Sequence, residues 1–283
     1  MSDALLRVRI MSEPLALEHV IGVAMSLGAQ GVEVCDSDTH DLPADTIWVH
    51  AWHGAREDPA ALMSAYRQGL GTLGEVHVDF EDTDWRAALV SEPARALGDR
   101  FVISESGESM DHRIPLLIAS GLGFGDGVHP TTQCCAFLIE RVMTASRCPR
   151  VIDVGTGTGV LGIMAAKLGA ASVIGTDIDG VAREAAQRNV SANEVDLVMR
   201  VASQIPDGHQ ADLLIANLYL GVLPAMIPAI ASTTHSDGRC IISGFTIHGE
   251  TLITQLMGDH GFEVCERVSR SEWVALWLQR SKE

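Results

Sequence analysis

The sequence predicts an α/β protein: a Rossmann-like, doubly wound, mostly parallel sheet of seven strands with an antiparallel final strand, preceded by a small ferredoxin-like α+β domain. Three observations carry this expectation. The first eighty residues run strand, helix, strand, strand, helix, strand. From Val151 onward, apolar runs of strand length alternate with segments of helical period. The last two strand-like runs, FEVCER and EWVALWLQR, are joined by too few residues for a crossover, so they must pair antiparallel.

Taken in order, LLRVRIM is strand-like, PLALEHVIGVAMSLGA places Leu17, Val20, Ile21, Ala24 and Met25 on one helical face, and GVEVCD alternates as a strand does. TIWVHAWH then reads as strand, DPAALMSAYRQGLGTLG as helix and EVHVDFED as strand, completing a βαββαβ unit over 1–82. Residues 83–108 mix a short helical stretch (WRAALVSEPARAL), a strand (FVISES) and polar residues, and read as the linker. The segment 109–283 contains VIDVG, a helix from Val160 to Leu168, SVIGTD, a helix from Val181 to Asn193, LVMRVAS, ADLLIAN, a helix from Tyr219 to Ala231, CIISGF, a helix from Glu250 to Asp259, and the final hairpin.

Composition narrows the function classes. Apolar residues are 47% and charged residues 20% of the 283, as in a globular protein, with aromatics sparse at 5%. The net charge of -17 is concentrated early: residues 1–100 hold 17 acids against 7 bases. That balance argues against direct nucleic-acid binding, which needs a basic face, and suits a basic partner or simple solubility. Cys35, Cys134, Cys135, Cys148, Cys240 and Cys265 have neither zinc nor disulfide spacing and read as small core residues of a cytoplasmic protein. Leu213 to Ser236 carries no charge, yet its Asn217, Pro224 and Pro228 favour a buried strand leading into a helix over a membrane span. His50 and His53 flank Trp52 in a strand-like run, a poor spacing for a metal, and no metal site is expected.

Two glycine clusters carry the chemistry, GLGFGDGVHPTT (Gly121 to Thr132) and VIDVGTGTGVLG (Val151 to Gly162). In the second, Gly155, Gly157 and Gly159 let the turn between strand and helix bring bare backbone N–H groups against a ligand. Gly157, Gly159 and Gly162 satisfy G-x-G-x-x-G with Asp177 twenty residues on, a weak nicotinamide signature. Asp153 directly ahead makes the same stretch D-x-G-x-G-x-G, the pattern of S-adenosylmethionine sites. There Asp177 would accept the ribose hydroxyls and Ile178 would lie against adenine. A turn needed only for helix–strand packing is the third reading. Asn217, after the apolar run of ADLLIAN, stands at the carboxyl edge where open α/β sheets bind ligands, or else caps the following helix.

GFGDGVHPTTQ, VIDVGTGTGVLGIMAAKLGA, GTDIDGVAREAAQRNVSAN, IANLYLGVL and ISGF, in this order behind a small acidic α/β domain, resemble the PrmA family of methyltransferases, whose substrate is large-subunit ribosomal protein eleven. The similarity covers most of Phe101 to Arg280 and, in layout only, the first hundred residues. It implies S-adenosyl-L-methionine as cofactor, a loop GFGDGVHPTT folded over it, and Thr132, Gly155, Asp177 and Asn217 as its contacts. Asp126 and Val128 replace two threonines of the family's loop, so the lid has gained a carboxylate. Thr156 and Thr158 stand in the glycine turn, and Leu218 and Tyr219 follow Asn217, where the family has other residues.

The expected function is an S-adenosylmethionine-dependent N-methyltransferase acting on lysine or α-amino groups of a basic, possibly ribosomal, protein, with no direct nucleic-acid or membrane partner. A small-molecule methyltransferase acting on a cationic acceptor is the alternative, and a non-catalytic cofactor-binding module and an NAD-dependent oxidoreductase remain behind it. Asn217, Tyr219 and His129 are the candidate catalytic residues: Asn217 as acceptor for an amine N–H, Tyr219 as a pocket wall, and His129 as a base or as a residue that fixes the turn by hydrogen bonding.

Overall fold

A computed structural model of the chain describes residues 5–12, 16–29, 31–35, 47–54, 58–71, 74–81, 94–104, 112–118, 127, 129–145, 148–196, 198–205 and 208–281. The chain divides into two compact units, Met1–Val90 and Ser91–Glu283.

The first unit contains β1 (Leu5–Ser12), α1 (Leu17–Ser26), β2 (Gly31–Cys35), β3 (Ile47–Gly54), α2 (Pro59–Leu70) and β4 (Gly74–Glu81). Its sheet has the order β2-β3-β1-β4 with all three pairings antiparallel, the ferredoxin-like arrangement that the βαββαβ pattern predicts. Alternation sends Leu6, Val8 and Ile10 of β1 and Val49 and Ala51 of β3 into a core with Leu17, Val20 and Ala24 of α1 and Leu62, Tyr66 and Leu70 of α2. Asp58 caps α2 by accepting from Ala60 N, with Pro59 in the first turn, where no N–H is missed. His50 and His53 are on opposite faces of β3. His53 is buried with Nε2 2.7 Å from Tyr66 Oη, whereas His50 is half-buried and edge-on to Trp52.

The second unit opens with a three-stranded sheet, β5 (Arg95–Leu97), β6 (Phe101–Ile103) and β7 (Ile114–Leu116), in that order. Within the linker expected over 83–108, the expected strand FVISES is β6, whereas Arg95–Leu97 is strand β5 rather than the end of a helix, and the β5–β6 turn is bolted to the body of the unit. The helix α3 (Pro130–Ala145) supplies the bolt. Its buried Glu140 accepts from Asp99 N and Arg100 N, each at 2.9 Å, and the left-handed Gly98 leaves room for that carboxylate. Arg113 donates to Gly98 O and Phe101 O from the other side. Residues 85–93 of the expected linker helix lie outside the described residues.

After α3 come β8 (Arg150–Val154), α4 (Val160–Lys167), β9 (Ser172–Thr176), α5 (Gly180–Ala192), β10 (Met199–Ala202), β11 (Ala211–Asn217), α6 (Leu223–Thr233), β12 (Thr234–Thr246), α7 (Glu250–Asp259), β13 (Phe262–Arg270) and β14 (Trp273–Arg280). The seven-stranded sheet has the order β10-β9-β8-β11-β12-β14-β13, parallel except for β14, which is antiparallel to both neighbours. Burial on both faces explains the unbroken apolar runs: Leu213 and Ile215 pack with α3 and α4, whereas Leu214 and Ala216 pack with α6 and α7. The uncharged stretch from Leu213 is thus strand β11 followed by α6, and among the described residues no helix is long and apolar enough to cross a membrane. Five cysteines are buried, and burial pushes the Cys134 thiol up to about 11. Cys265, expected in the core, is exposed on β13.

Replacing Glu140 with Ala removes both acceptors from the β5–β6 turn. It should lower the unfolding free energy of the second unit by roughly 2–4 kcal/mol, the scale of two half-buried hydrogen bonds to a charged group. Glu140→Gln, which keeps one acceptor oxygen, should lose less. Urea unfolding followed by tryptophan fluorescence measures this, and an Ala variant as stable as the parent would show that α3 does not hold the turn.

Candidate active site

The carboxyl ends of β8, β9 and β11 meet where the chain passes from β8 into α4. Val154 ends the strand, and Gly155, Gly157 and Gly159 all have positive φ (69°, 54° and 84°), which makes this turn accessible only to glycine-rich sequence. At Gly155 a Cβ would also stand 2.2 Å from the Leu218 side chain.

Two carboxylates hold the turn. Asp153, 1% exposed, accepts from Thr156 Oγ1 at 2.5 Å and from Gly162 N at 3.2 Å, which ties the turn to the first helical residues behind it. Burial raises its pKa to about 6, against the downward pull of those two hydrogen bonds. Asp177, just past β9, accepts from Gly157 N through Oδ2 and from Asp179 N through Oδ1, both at 3.0 Å. Each oxygen keeps acceptor capacity, since a carboxylate offers about four lone-pair sites. Arg183 fixes the backbone here by donating to Asp177 O and Ile178 O. The next side chain, Ile178, is 94% exposed, an apolar surface beside a carboxylate at the sheet's rim.

β11 delivers Asn217, and α3 approaches it from the other side. Asn217 Nδ2 donates to Thr131 Oγ1 at 3.2 Å, and Thr131 Oγ1 lies 2.7 Å from His129 Nδ1. The His129 ring packs edge-on against Trp273 of β14, centroids 4.7 Å apart. His129 O begins α3 by accepting from Thr132 N and Gln133 N. Asn217 is not a helix cap, because Val222 holds that position for α6. Tyr219, half-buried, accepts Val222 N with its carbonyl and so opens the turn into α6. Leu218 O approaches Gly244 so closely that a Cβ there would lie 2.1 Å from it.

Two buried oxygens in this cluster have no hydrogen-bond partner, Asn217 Oδ1 and Thr132 Oγ1. A buried acceptor without a donor costs on the order of 1–3 kcal/mol, so a pair at one ligand-facing rim marks where a ligand's polar groups belong. The turn amides expected to be bare are partly spent inside the protein, Gly157 N on Asp177 Oδ2 and Gly159 N on Thr156 O. A carboxylate with spare lone pairs and an exposed isoleucine nevertheless match the diol and adenine of an adenosyl sulfonium, and the two orphaned oxygens suit the amino groups met at its reactive end. The residues present therefore fit S-adenosylmethionine.

The sequence-predicted residues Thr132, Asp153, Gly155, Gly157, Gly159, Asp177, Ile178, Asn217, Tyr219 and His129 all lie at or just behind this rim. Asp153 lies behind the turn, almost out of contact with water. His50 and His53 are not brought together. Asp126 and the loop residues 121–126 and 128 lie outside the described residues. Thr131 and Trp273 are additions from the structure: Thr131 was readable only as one of the paired threonines, and nothing local marks Trp273.

Comparison with known proteins agrees with this geometry. The family model described as ribosomal protein L11 methyltransferase (PrmA) matches residues 4–281. A ribosomal protein L11 methyltransferase from Symbiobacterium thermophilum is 32% identical over 300 residues, covering 96% of this chain and 97% of the relative. One from Exiguobacterium sp. is 31% identical over 297 residues, covering 93% and 95%. Among solved structures, the ribosomal protein L11 methylase of Lactobacillus delbrueckii subsp. bulgaricus superposes with a TM-score of 0.61 at 28% identity, covering 67% of this chain and 99% of that one. The glycine turn, the rim carboxylate and the match along nearly the whole chain lead to one conclusion: this protein belongs to the PrmA family of ribosomal protein L11 methyltransferases and is an S-adenosylmethionine-dependent methyltransferase.

Proposed function

We propose that the chain is a cytoplasmic protein N-methyltransferase that acts on amino groups, lysine ε or chain-terminal α, of a ribosomal protein of the L11 type, the substrate for which its relatives are named. The observation that supports this most directly is the buried, unpartnered Asn217 Oδ1, a neutral acceptor suited to an amine N–H.

Bound at the rim, S-adenosylmethionine would supply a methyl group already activated on sulfur, so that transfer to an amine would form a C–N bond as the C–S bond breaks, its pair returning to sulfur, with the proton of the methylated nitrogen released to solvent as the product leaves. Asp177 would accept the ribose hydroxyls and Ile178 would cover adenine, with the turn of Gly155, Gly157 and Gly159 beneath. Asp153 braces that turn from behind, and Thr132 Oγ1 contacts the ligand. Asn217 Oδ1 accepts an N–H of the incoming amine and aims its lone pair at the methyl carbon. The amine must arrive neutral, and exclusion of water favours that form. Alignment of this kind supplies on the order of 7–11 kcal/mol, so no dedicated general base is assigned. Tyr219 walls the acceptor side, and His129 orients α3 rather than removing a proton. Residues 1–82, within the acidic first unit, recognise the basic partner, and the Ser91–Glu283 unit performs the transfer.

Incubating the full chain with L11 and labelled cofactor, then locating the label by peptide mass spectrometry, tests the assignment; label confined to small molecules would reject it. Asp177→Ala should weaken S-adenosylhomocysteine binding by roughly 2–4 kcal/mol in calorimetry, because two hydrogen bonds to a charged group are lost. Unchanged affinity would remove Asp177 from the ribose site.

A chain beginning at Ser91 should bind S-adenosylhomocysteine with nearly the parental affinity and fail to methylate L11. Equal methylation with and without the first unit would refute its recognition role.

A further inference from the structure

The polar chain running from β11 to α3 has a direction, and one backbone amide sets it. Thr131 N donates to His129 Nδ1 at 3.3 Å, so that nitrogen presents a lone pair and not a proton. Thr131 Oγ1 lies 2.7 Å from the same nitrogen, and its hydroxyl must therefore be the donor. With that proton committed, the hydroxyl oxygen can only accept from Asn217, 3.2 Å away, and only Nδ2 has protons to give. Turning the Asn217 amide over would set Oδ1 against Oγ1, two acceptors with no hydrogen between them. Oδ1 is consequently the end turned away from Thr131, where it is buried and has no partner.

The anchor of this chain is itself held. His129 stands before the first turn of α3, its carbonyl accepts from Thr132 N and Gln133 N, and its ring rests against Trp273, which is 3% exposed. Ring and backbone are thus fixed together, and the Nδ1 lone pair cannot rotate away from Thr131.

We infer that Thr131 is a positioning residue for methyl transfer: its hydroxyl fixes the Asn217 amide so that Oδ1, and not Nδ2, faces the acceptor nitrogen. The inference rests on the amine-acceptor reading above. With Oδ1 forward, Asn217 accepts an N–H and leaves the nitrogen lone pair free to attack the methyl carbon. With Nδ2 forward, the amide would donate to that lone pair and occupy the electrons that must form the C–N bond. The reversed amide still binds the amine, so misorientation lowers turnover and not substrate affinity.

The test compares Thr131→Val, which keeps the shape and loses the hydroxyl, with Thr131→Ser, which keeps the hydroxyl, in the full-length chain acting on L11. For Thr131→Val, kcat should fall by roughly 10- to 100-fold, the scale of one misdirected hydrogen bond at a buried site. The KM for L11 and the affinity for S-adenosylhomocysteine should stay near parental values, and Thr131→Ser should recover most of the turnover. A Val variant with parental kcat, or Val and Ser variants equally impaired, would overturn the inference.

A second readout needs neither substrate nor turnover. The Asn217 side-chain amide, assigned by its disappearance in Asn217→Ser, should exchange its protons slowly in the parent and in Thr131→Ser and rapidly in Thr131→Val. Fast exchange in the parent would show that Nδ2 is not held by Thr131. If the parent labels no amine of L11, the functional reading fails, and the exchange measurement still decides the orientation of the amide.

Discussion

Asp153 is a carboxylate almost without contact with water, and the shape of the rim follows from what it holds. Its two donors, Thr156 Oγ1 and Gly162 N, belong to the turn and to the helix after it, so one side chain fixes both ends of a segment whose three glycines would otherwise sample many conformations. The arrangement has an electrostatic cost, visible in a pKa raised to about 6 from the usual 3.8. Because the folded protein holds this proton more tightly than the unfolded chain, the group's contribution to stability is fully present below the unfolded pKa and fades as pH rises through 6. Near neutrality the ionised form prevails, held by its two donors, and Asp177 nearby adds a repulsion that raises the pKa further.

The second carboxylate works under the opposite conditions. Asp177 is half-exposed, and it receives Gly157 N from the turn and Asp179 N from the entrance to α5. A carboxylate held by two backbone donors with lone pairs still open has the fixed geometry that the proposed ribose contact requires. The same backbone geometry leaves Ile178 standing almost entirely in water. An exposed isoleucine beside a fixed carboxylate makes sense as a paired surface, apolar for a base and polar for a sugar.

How much of this was legible in the sequence depends on how local the determinant is. The positions of the glycine turn and of Asn217 at strand ends could be read because each follows an apolar run, those of Asp153 and Asp177 because of their spacing from the glycines, and the parallel sheet because apolar strand-length runs alternate with segments of helical period. The helix α3 could not. Its buried set includes Thr131, Thr132, Cys134, Cys135, Ala136 and Glu140, a mixture of small, polar and charged residues that blurs the helical period, and the preceding Gly-rich stretch suggests only a loop. The strand β5 was hidden for a related reason: Arg95–Leu97 has helix-favouring residues, and its strand character comes from pairing with β6 and from the bond of Glu140 to the adjoining turn. Trp273 was invisible because sheet order is not a local property. Only the insertion of β14 between β12 and β13 carries its ring to His129, more than a hundred residues earlier in the chain.

The choice of an amide at position 217 carries a chemical argument of its own. A carboxylate there would attract a cationic amine more strongly, yet it would also stabilise the ammonium form and raise the acceptor's pKa, which withholds the lone pair that the reaction needs. An amide oxygen accepts an N–H from the neutral amine with no such bias. Under the proposed function, the attraction for a basic protein would come instead from the excess of 17 acids over 7 bases in residues 1–100, remote in sequence from position 217.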